Sequence, residues 1–349
     1  MTYFNPNEIG MANGNYFALP YKLEESEIAL LSLPWDVTTS YRAGSHKGPQ
    51  AIIDASLQVD LFDTLVPDAW ETLIGTVPIE DSILKKNTKY RKAAESIIEK
   101  LKGGIDCRLL QDELDSVNKA SKELNQFVYK ACNELIKNGK LVGVVGGDHS
   151  VPLGNMKAVS ENYEEFGILH IDAHADLRIA YEGFLYSHAS IMYNALNEIH
   201  QISQLTQVGI RDFCQEESDI VNSDPRIRCF TDIELKKNSF EGKLWKKQCE
   251  EIIASLPDNV YISFDIDGLS PELCPNTGTP VPGGLSFREV DFLLFLLATS
   301  NRKIVGFDLC EVSPGEDGEW DANVGARILY KLCIYSKLNQ KNQTTIDDD

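Results

Sequence analysis

Apolar residues in this chain fall into short, continuous runs that are separated by longer amphipathic stretches. Six such runs predict strands, at Ile28–Leu33, Leu141–Val145, Gly167–Ile171, Leu205–Ile210, Val260–Asp265 and Ile304–Leu309. Runs without polar alternation are typical of strands that are covered on both faces, as in a parallel sheet between helices.

The amphipathic stretches predict helices between the strands. The clearest is Asp112–Asn138, where apolar residues recur at helical spacing and Gly139 follows, at a position where helices commonly end. A second helix is predicted at Lys89–Lys102. A third opens on a capping box at Ser286–Glu289 and continues through Leu297.

This alternation predicts an α/β fold, a three-layer α/β/α arrangement with a mostly parallel central sheet. Because no Pro-, Gly- or Ser-rich linker divides the chain, residues 1–338 are predicted to form one domain. Residues 339–349 are polar and end in three aspartates, so this tail is predicted to be disordered.

Composition and charge limit the kinds of molecule that the protein is expected to bind. The net charge is −20 and no basic run is present, which argues against nucleic-acid binding. The apolar runs are too short to cross a membrane, and the N-terminal segment lacks the features of a secretory signal. None of the eight cysteines forms a CxxC pair. We therefore expect a cytoplasmic protein with reduced thiols, no membrane partner and a small-molecule substrate.

Side chains that bind metals cluster directly after three of the predicted strands. They are His149, Asp172, His174, Asp176, Asp265 and Asp267. Side chains alternate in an extended chain, so each Asp-x-His-x-Asp or Asp-x-Asp set points to one side. Ligands of parallel sheets bind beyond the carboxyl ends of the strands, so we expect the six side chains to converge there.

Four carboxylates and two imidazoles suit divalent cations, with Mn²⁺ preferred and Ni²⁺ or Co²⁺ as alternatives. Six ligands are too many for one open catalytic ion, which favours two ions about 3.5–4 Å apart. The alternative is that the aspartates are helix caps and the histidines structural, but burying four carboxylates without cations would be costly. His170 is interpreted as structural or as an orienting residue behind the ligands.

Three segments resemble the signatures of the ureohydrolase family, which includes arginase, agmatinase, formimidoylglutamase and guanidino-acid hydrolases. They are GGDHS at 146–150, DAHADL at 172–177 and SFDIDGLSP at 263–271. NTGTPVPGG at 276–284 and AGSHKGPQAI at 43–52 also resemble family segments. The resemblance covers about residues 25–335.

The resemblance implies an arginase-like fold, two Mn²⁺ ions with a bridging hydroxide, and a homo-oligomer, either a trimer or a hexamer. It implies that one ion is held by His149, Asp172, Asp176 and Asp265. It implies that the other is held by His174, Asp172, Asp265 and Asp267.

The resemblance also implies catalytic residues for a small cationic guanidino substrate. Glu311 matches the family glutamate that binds the guanidinium through paired, charge-assisted hydrogen bonds. His188 matches a histidine that lines the site and shuttles protons, the alternative being a surface-loop histidine. Asp176 is expected to accept the proton of the hydroxide and pass it to the leaving nitrogen.

The DLR…YEG…YSHA pattern after residue 176 most resembles agmatinase-type members. Arginase, guanidino-acid hydrolase and formimidoylglutamase remain alternatives. Arg178 could bind a substrate carboxylate, but an ion pair with Glu182 at i+4 is the favoured interpretation. The acidic segment 315–320 replaces the family's usual continuation and would suit a substrate with a distal amine.

Three other classes of protein fit the sequence less well. A single-zinc deacetylase on the same fold would lack the histidine at 149. A phosphoesterase would need a Gly-rich phosphate cradle or a basic clamp, which the sequence lacks. A non-enzymatic paralogue would not be expected to keep all six ligands together with His188 and Glu311.

Overall fold

The structure, a computed structural model, describes residues 4–316 and 319–347. Eight strands form one sheet. They are β1 (Ile28–Leu33), β2 (Ile74–Val77), β3 (Leu141–Gly146), β4 (Phe166–Ile171), β5 (Ile202–Val208), β6 (Ile227–Phe230), β7 (Asn259–Asp265) and β8 (Lys303–Cys310). Their order is β2-β1-β3-β8-β7-β4-β5-β6, and every neighbouring pair is parallel.

Helices cover both faces of the sheet. The α-helices are α1 (Gly48–Ser56), α2 (Asp81–Lys102), α3 (Gln111–Lys137), α4 (Leu153–Ser160), α5 (Ile191–Glu198), α6 (Gln215–Ser223), α7 (Asp232–Phe240), α8 (Trp245–Ala254), α9 (Phe287–Ala298) and α10 (Trp320–Asp347). Alternate residues of β1 enter opposite layers of the core. Ile28 and Leu30 pack with α1, α9 and α10, whereas Ala29 and Leu31 pack with α2 and α3. The predicted three-layer α/β/α fold is therefore confirmed.

The two strands that the pattern did not predict lie at the edges of the sheet. Each has four residues, and both β2 and β6 include positions that are only partly buried. Such short, mixed segments carry little of the continuous apolar signal that marks the six longer strands. Helix α2 also begins eight residues before the predicted start at Lys89, because its first two turns are mostly polar and exposed.

Residues 339–347, which the sequence predicts to be disordered, continue helix α10. Asn339 is fully buried. Its side chain accepts a hydrogen bond from the Ile304 amide (2.8 Å) and donates to the carbonyl oxygens of Ala298 (3.2 Å) and Arg302 (2.7 Å). Residues 348–349 lie outside the described part of the chain. That all eight strands share one sheet supports the single domain over residues 1–338, which stays a prediction.

None of the described helices combines the length and apolarity that a membrane crossing needs. The central strands lie in the order β3-β8-β7-β4, so that their carboxyl ends form one continuous edge. All of the predicted ligand segments emerge from this edge, so we expect the metal-binding site to lie there.

Candidate active site

The four central strands deliver the predicted side chains to one place. His149 follows β3, the 172–176 segment follows β4, Asp265 ends β7, and Glu311 follows β8. Strand β8 lies between β3 and β7, so that Glu311 lies among the segments that are predicted to bind metal. The order of the strands in the sheet thus brings these side chains together, and no single sequence motif encodes that order.

One group of side chains surrounds the His149 ring. Its Nδ1 lies 3.0 Å from Oδ2 of Asp172 and 3.3 Å from an oxygen of both Asp176 and Asp265. All four residues are almost completely buried. The Nε2 of the same ring lies 2.9 Å from the Ser263 hydroxyl, which fixes the orientation of the ring and leaves Nδ1 facing the carboxylates.

A second group surrounds His174. Its Nδ1 lies 3.1 Å from Oδ2 of Asp267 and 3.5 Å from Oδ1 of Asp172. The two oxygens of Asp172 therefore face two different groups. Each group has ligand atoms close enough to hold a cation: His149, His170, Asp172 and Asp176 in the first, and Asp172, His174 and Asp267 in the second.

His170, interpreted from the sequence as structural or orienting, contacts the first group directly. Its Nε2 lies 2.8 Å from Oδ2 of Asp172, and its Nδ1 lies 3.0 Å from the amide nitrogen of Gln207. That amide also donates to the Ala175 carbonyl (2.8 Å). Because an amide nitrogen donates, Nδ1 accepts and the proton sits on Nε2, directed at the carboxylate. This arrangement fits an orienting role.

Local backbone hydrogen bonds fix the carboxylates. The His174 amide donates to Asp172 (2.6 Å), and the Asp267 amide donates to Asp265 (2.8 Å). Asp176 and Glu311 have φ angles of 55° and 63°, in the left-handed region that non-glycine residues seldom adopt. Such strain is held only where the surroundings enforce it, as they commonly do at functional sites.

The electrostatics of the cluster indicate an excess of negative charge. Burial, together with the charge of Asp172, raises the pKa of Asp176 to about 6, and burial with Asp267 and Asp172 raises the pKa of Asp265 strongly. Burial alone would lower the pKa of His149, but its contacts with the carboxylates outweigh burial and raise it. The imidazoles lower the pKa of Asp172, so this carboxylate stays ionised, whereas Asp176 and Asp265 retain protons in the absence of a cation. A cluster of this kind stabilises cations.

Glu311 and His188 lie at the pocket above the cluster. Oε1 of Glu311 accepts a hydrogen bond from the His149 amide (3.0 Å), whereas Oε2 is buried and lacks a hydrogen-bonding partner among the described residues. Burial and the neighbouring Asp148 raise the pKa of Glu311. Burial and the nearby imidazoles of His174 and His149 lower the pKa of His188 to about 3, so that its ring is neutral.

Both residues line a cavity that opens above the two ligand groups. The rest of its wall includes residues that the sequence interpretation did not assign to the site: Ser40, Tyr181, Asp212, Phe213, Glu217 and Thr279. Their signal in the sequence is weak because they come from separate parts of the chain, Glu217 from α6 and the others from connecting segments. Ser263 could have been found, since the alternation in SFDID places it on the same side as Asp265 and Asp267.

The favoured ion pair of Arg178 with Glu182 is not formed. Arg178 instead approaches Glu217, with 3.7 Å between Nε and a carboxylate oxygen, and lies over the Tyr181 ring at 4.9 Å. The left-handed φ angle of Glu182 (53°) interrupts the helical spacing that an i+4 pair requires. The described residues of the 315–320 segment do not line the cavity, and residues 317–318 lie outside the described chain.

Comparison with known proteins agrees with this geometry. The Arginase family profile matches residues 26–335. The chain is 32% identical to an N(1)-aminopropylagmatine ureohydrolase of Thermus thermophilus, over 89% of this chain and 90% of that protein. It is 31% identical to an agmatinase of Proteus mirabilis, over 90% of this chain and 88% of that protein. An agmatine ureohydrolase structure from Thermoplasma volcanium superposes with a TM-score of 0.72 at 24% identity, covering 95% and 97% of the two chains.

The chain therefore belongs to the arginase family. The resemblance to the ureohydrolases inferred from the three signatures is confirmed.

Proposed function

We propose that this protein is a binuclear-metal ureohydrolase that cleaves an amine-terminated guanidino compound to urea and an amine. The observation that carries the proposal is the placement of Asp172, whose two carboxylate oxygens face separate groups of metal-ligating side chains. A carboxylate in this position is suited to bridge two cations.

The side chains fit a pair of divalent ions such as Mn²⁺. Carboxylate oxygens and imidazole nitrogens are the donors that such ions take, and the excess of buried carboxylates requires positive charge. His149, Asp172, Asp176 and Asp265 would hold one ion, and His174, Asp172, Asp265 and Asp267 the other. When bound, such ions would lower the pKa of a water molecule in the site and so would supply hydroxide at neutral pH.

Glu311 would bind and orient the substrate. Its buried Oε2 is free to accept a hydrogen bond, while the His149 amide holds Oε1 in place. A guanidinium would satisfy this orphaned oxygen with a charge-assisted hydrogen bond and would supply the positive charge that the glutamate needs to ionise. The planar carbon would then lie above the two ligand groups.

Proton transfer would use Asp176 and His188. A carboxyl whose pKa lies near 6 without metal can take a proton during attack and return it to the leaving nitrogen. The neutral His188 ring lines the same cavity and can carry a proton between solvent and the leaving amine.

An amine-terminated substrate is favoured over a guanidino acid. Arg178, the cation of the cavity wall that could bind a substrate carboxylate, is already engaged by Glu217 and Tyr181. Asp212 contributes an exposed carboxylate to the same wall, and its negative charge suits a substrate with a distal amine. Relatives named as agmatinase and N(1)-aminopropylagmatine ureohydrolase support agmatine and its aminopropyl derivative as substrates.

The test is urea release by the Mn²⁺-reconstituted protein from agmatine, N(1)-aminopropylagmatine, arginine and 4-guanidinobutyrate, and formamide release from formiminoglutamate. We expect the two amine-terminated compounds to give the highest kcat/KM. Glu311→Gln should lower kcat/KM for these by at least about 10-fold, because a charge-assisted pair contributes more than 1.4 kcal/mol. Absence of urea from every compound, or a preference for guanidinobutyrate, would contradict the proposal.

The cytoplasmic location and the trimeric or hexameric assembly stay predictions. Light scattering coupled to gel filtration tests the assembly directly, and a monomer would refute it.

A further inference from the structure

Arg211 lies directly behind the second ligand group and donates only to backbone carbonyls. It follows β5, and its Nη1 donates to the Gly209 carbonyl (3.1 Å). Its Nη2 donates to the carbonyls of Asp267 (2.7 Å), Leu269 (3.1 Å) and Val281 (3.0 Å), and Nε donates to Val281 as well (3.2 Å). Three separate chain segments therefore meet on one guanidinium.

In the described part of the chain, no carboxylate forms an ion pair with Arg211. Its donors are all directed at the backbone, which indicates a role in placing segments relative to one another. The planar, rigid fork of arginine can serve several carbonyls at fixed angles, whereas lysine presents a single flexible ammonium group.

Two of the segments that Arg211 joins form parts of the site. The turn that contains Asp267 places that carboxylate 3.1 Å from His174, within the second ligand group. The loop 276–284 places Thr279 in the cavity wall. The start of this loop is fixed separately, because the Thr277 hydroxyl donates to the Glu311 carbonyl (2.9 Å).

The glycines at the end of this loop make room for the arginine. Gly284 has a φ of 94°, and a Cβ there would lie 2.7 Å from the Leu269 carbonyl oxygen and 2.9 Å from Nη2 of Arg211. A side chain at this position would displace the guanidinium. The paired glycines in NTGTPVPGG and the arginine after β5 are thus one structural unit.

We propose that Arg211 is a positioning residue that holds Asp267 in its ligating place and couples the second ligand group to the substrate loop 276–284. This inference rests on the proposed binding of two ions. Arg211 is expected to support the binding of the ion held by His174 and Asp267. It is not expected to affect the ion held by His149 and Asp176.

The experiment is a calorimetric titration of the metal-free, full-length protein with MnCl₂, comparing the wild type with Arg211→Lys. The lysine keeps the charge but loses most of the carbonyl contacts. We expect one of two binding steps to weaken by about 10–100-fold, as is typical when a residue that orients a ligand is lost. The other step should stay at its wild-type value.

Arg226→Lys is the matched control, because Arg226 also donates to a carbonyl, that of Leu196 (2.9 Å), but does so away from the site. It should leave both steps unchanged. If Arg211→Lys binds Mn²⁺ in two steps that both have the wild-type affinity, the inference is overturned. Equal weakening of both steps would overturn it too, since that result indicates a general structural role. A wild type that binds fewer than two ions would instead refute the two-ion proposal on which the inference rests.

Discussion

Two buried clusters of charged side chains differ in how the negative charge of their carboxylates is balanced. Between α9, α10 and the segment before β2, Nζ of Lys331 lies 2.5 Å from Asp63 and 2.9 Å from Asp291. The Tyr335 hydroxyl donates to the same Asp291 (2.7 Å). This cluster, which we call the Lys331 cluster, contains its own cation.

The cluster at the carboxyl edge of the sheet has carboxylates in excess and, in the described chain, no lysine or arginine in an ion pair with them. Its pKa shifts show the cost: burial and mutual repulsion raise the pKa of Asp176 and Asp265. The comparison teaches that one cluster is completed by a cation of the chain itself, whereas the other lacks such a partner among the described residues, which is the basis for proposing that it binds metal cations.

The largest expected effect is a loss of activity and bound metal that follows a substitution in the carboxylate-rich cluster but not one in the Lys331 cluster. Asp267→Ala should remove a ligand of the proposed second ion and lower kcat/KM by at least about 100-fold, more than the loss of an orienting residue costs. Metal analysis of the reconstituted variant should show one ion fewer per chain. Asp63→Asn in the Lys331 cluster is the control, and it should keep the full metal content. Wild-type turnover in Asp267→Ala would refute the ligand assignment.

The next effect concerns stability alone. Lys331→Met should leave the buried carboxylate of Asp63 without its cation and that of Asp291 with only the exposed Arg288 (2.9 Å). It should destabilise the protein by about 3–5 kcal/mol, as measured by urea unfolding. Metal content and the kcat of the folded fraction should not change. An unfolding free energy equal to that of the wild type would show that the Lys331 cluster is not the self-sufficient unit described above.

A smaller effect is the dependence of stability on pH. Burial and the charge of Asp172 raise the pKa of Asp176 in the folded, metal-free protein to about 6, above the ordinary 3.8 of an aspartate, so its ionisation destabilises the fold above pH 6. The contribution of Asp176 to stability should therefore increase as the pH falls from 6 towards 3.8, by at most about 1.4 kcal/mol per pH unit for one proton. His188, whose pKa is lowered to about 3, contributes the opposite slope below pH 6.5.

Asp176→Asn should remove the gain that Asp176 contributes towards acid, and thermal unfolding of the chelator-treated wild type and variant between pH 7.5 and 5 measures the difference. Reconstituted protein should lose stability towards acid, because protons compete with metal for the ligands. A metal-free Asp176→Asn profile with the same slope as that of the wild type would contradict the prediction.

The smallest effect tests the edge of the Lys331 cluster. Tyr335→Phe removes one hydroxyl that donates to Asp291 and accepts from Lys331 (3.1 Å), so it should cost about 0.5–1.5 kcal/mol. Chemical denaturation measures this loss. A loss as large as that of Lys331→Met would mean that the hydroxyl, and not the ammonium, holds the cluster together.

The two clusters also differ in how far the sequence reveals them. The ligand segments stand out because strands of a parallel sheet end at one edge, and alternation places Asp172, His174 and Asp176 on one side. The Lys331 cluster has no such signature, because Asp63 and Asp291 are distant in the sequence and meet only when α10 packs on α9. Pairings made by tertiary packing leave no local pattern.

The same limit explains the other differences. The tail beyond Asn339 is polar in composition, yet the buried amide of Asn339 ties it to the end of α9 and the start of β8. Arg178 has Glu182 at helical spacing in the sequence, but the chain is not helical there and Glu217, on α6, approaches instead. Composition and spacing describe neighbours along the chain and miss partners that the fold supplies.

The central claim is that the carboxylate-rich cluster is completed by two divalent cations. Elemental analysis by mass spectrometry of the protein reconstituted with Mn²⁺, dialysed and quantified by amino-acid analysis, tests it most directly. The account predicts two manganese ions per chain, and a stoichiometry of one or none would contradict it.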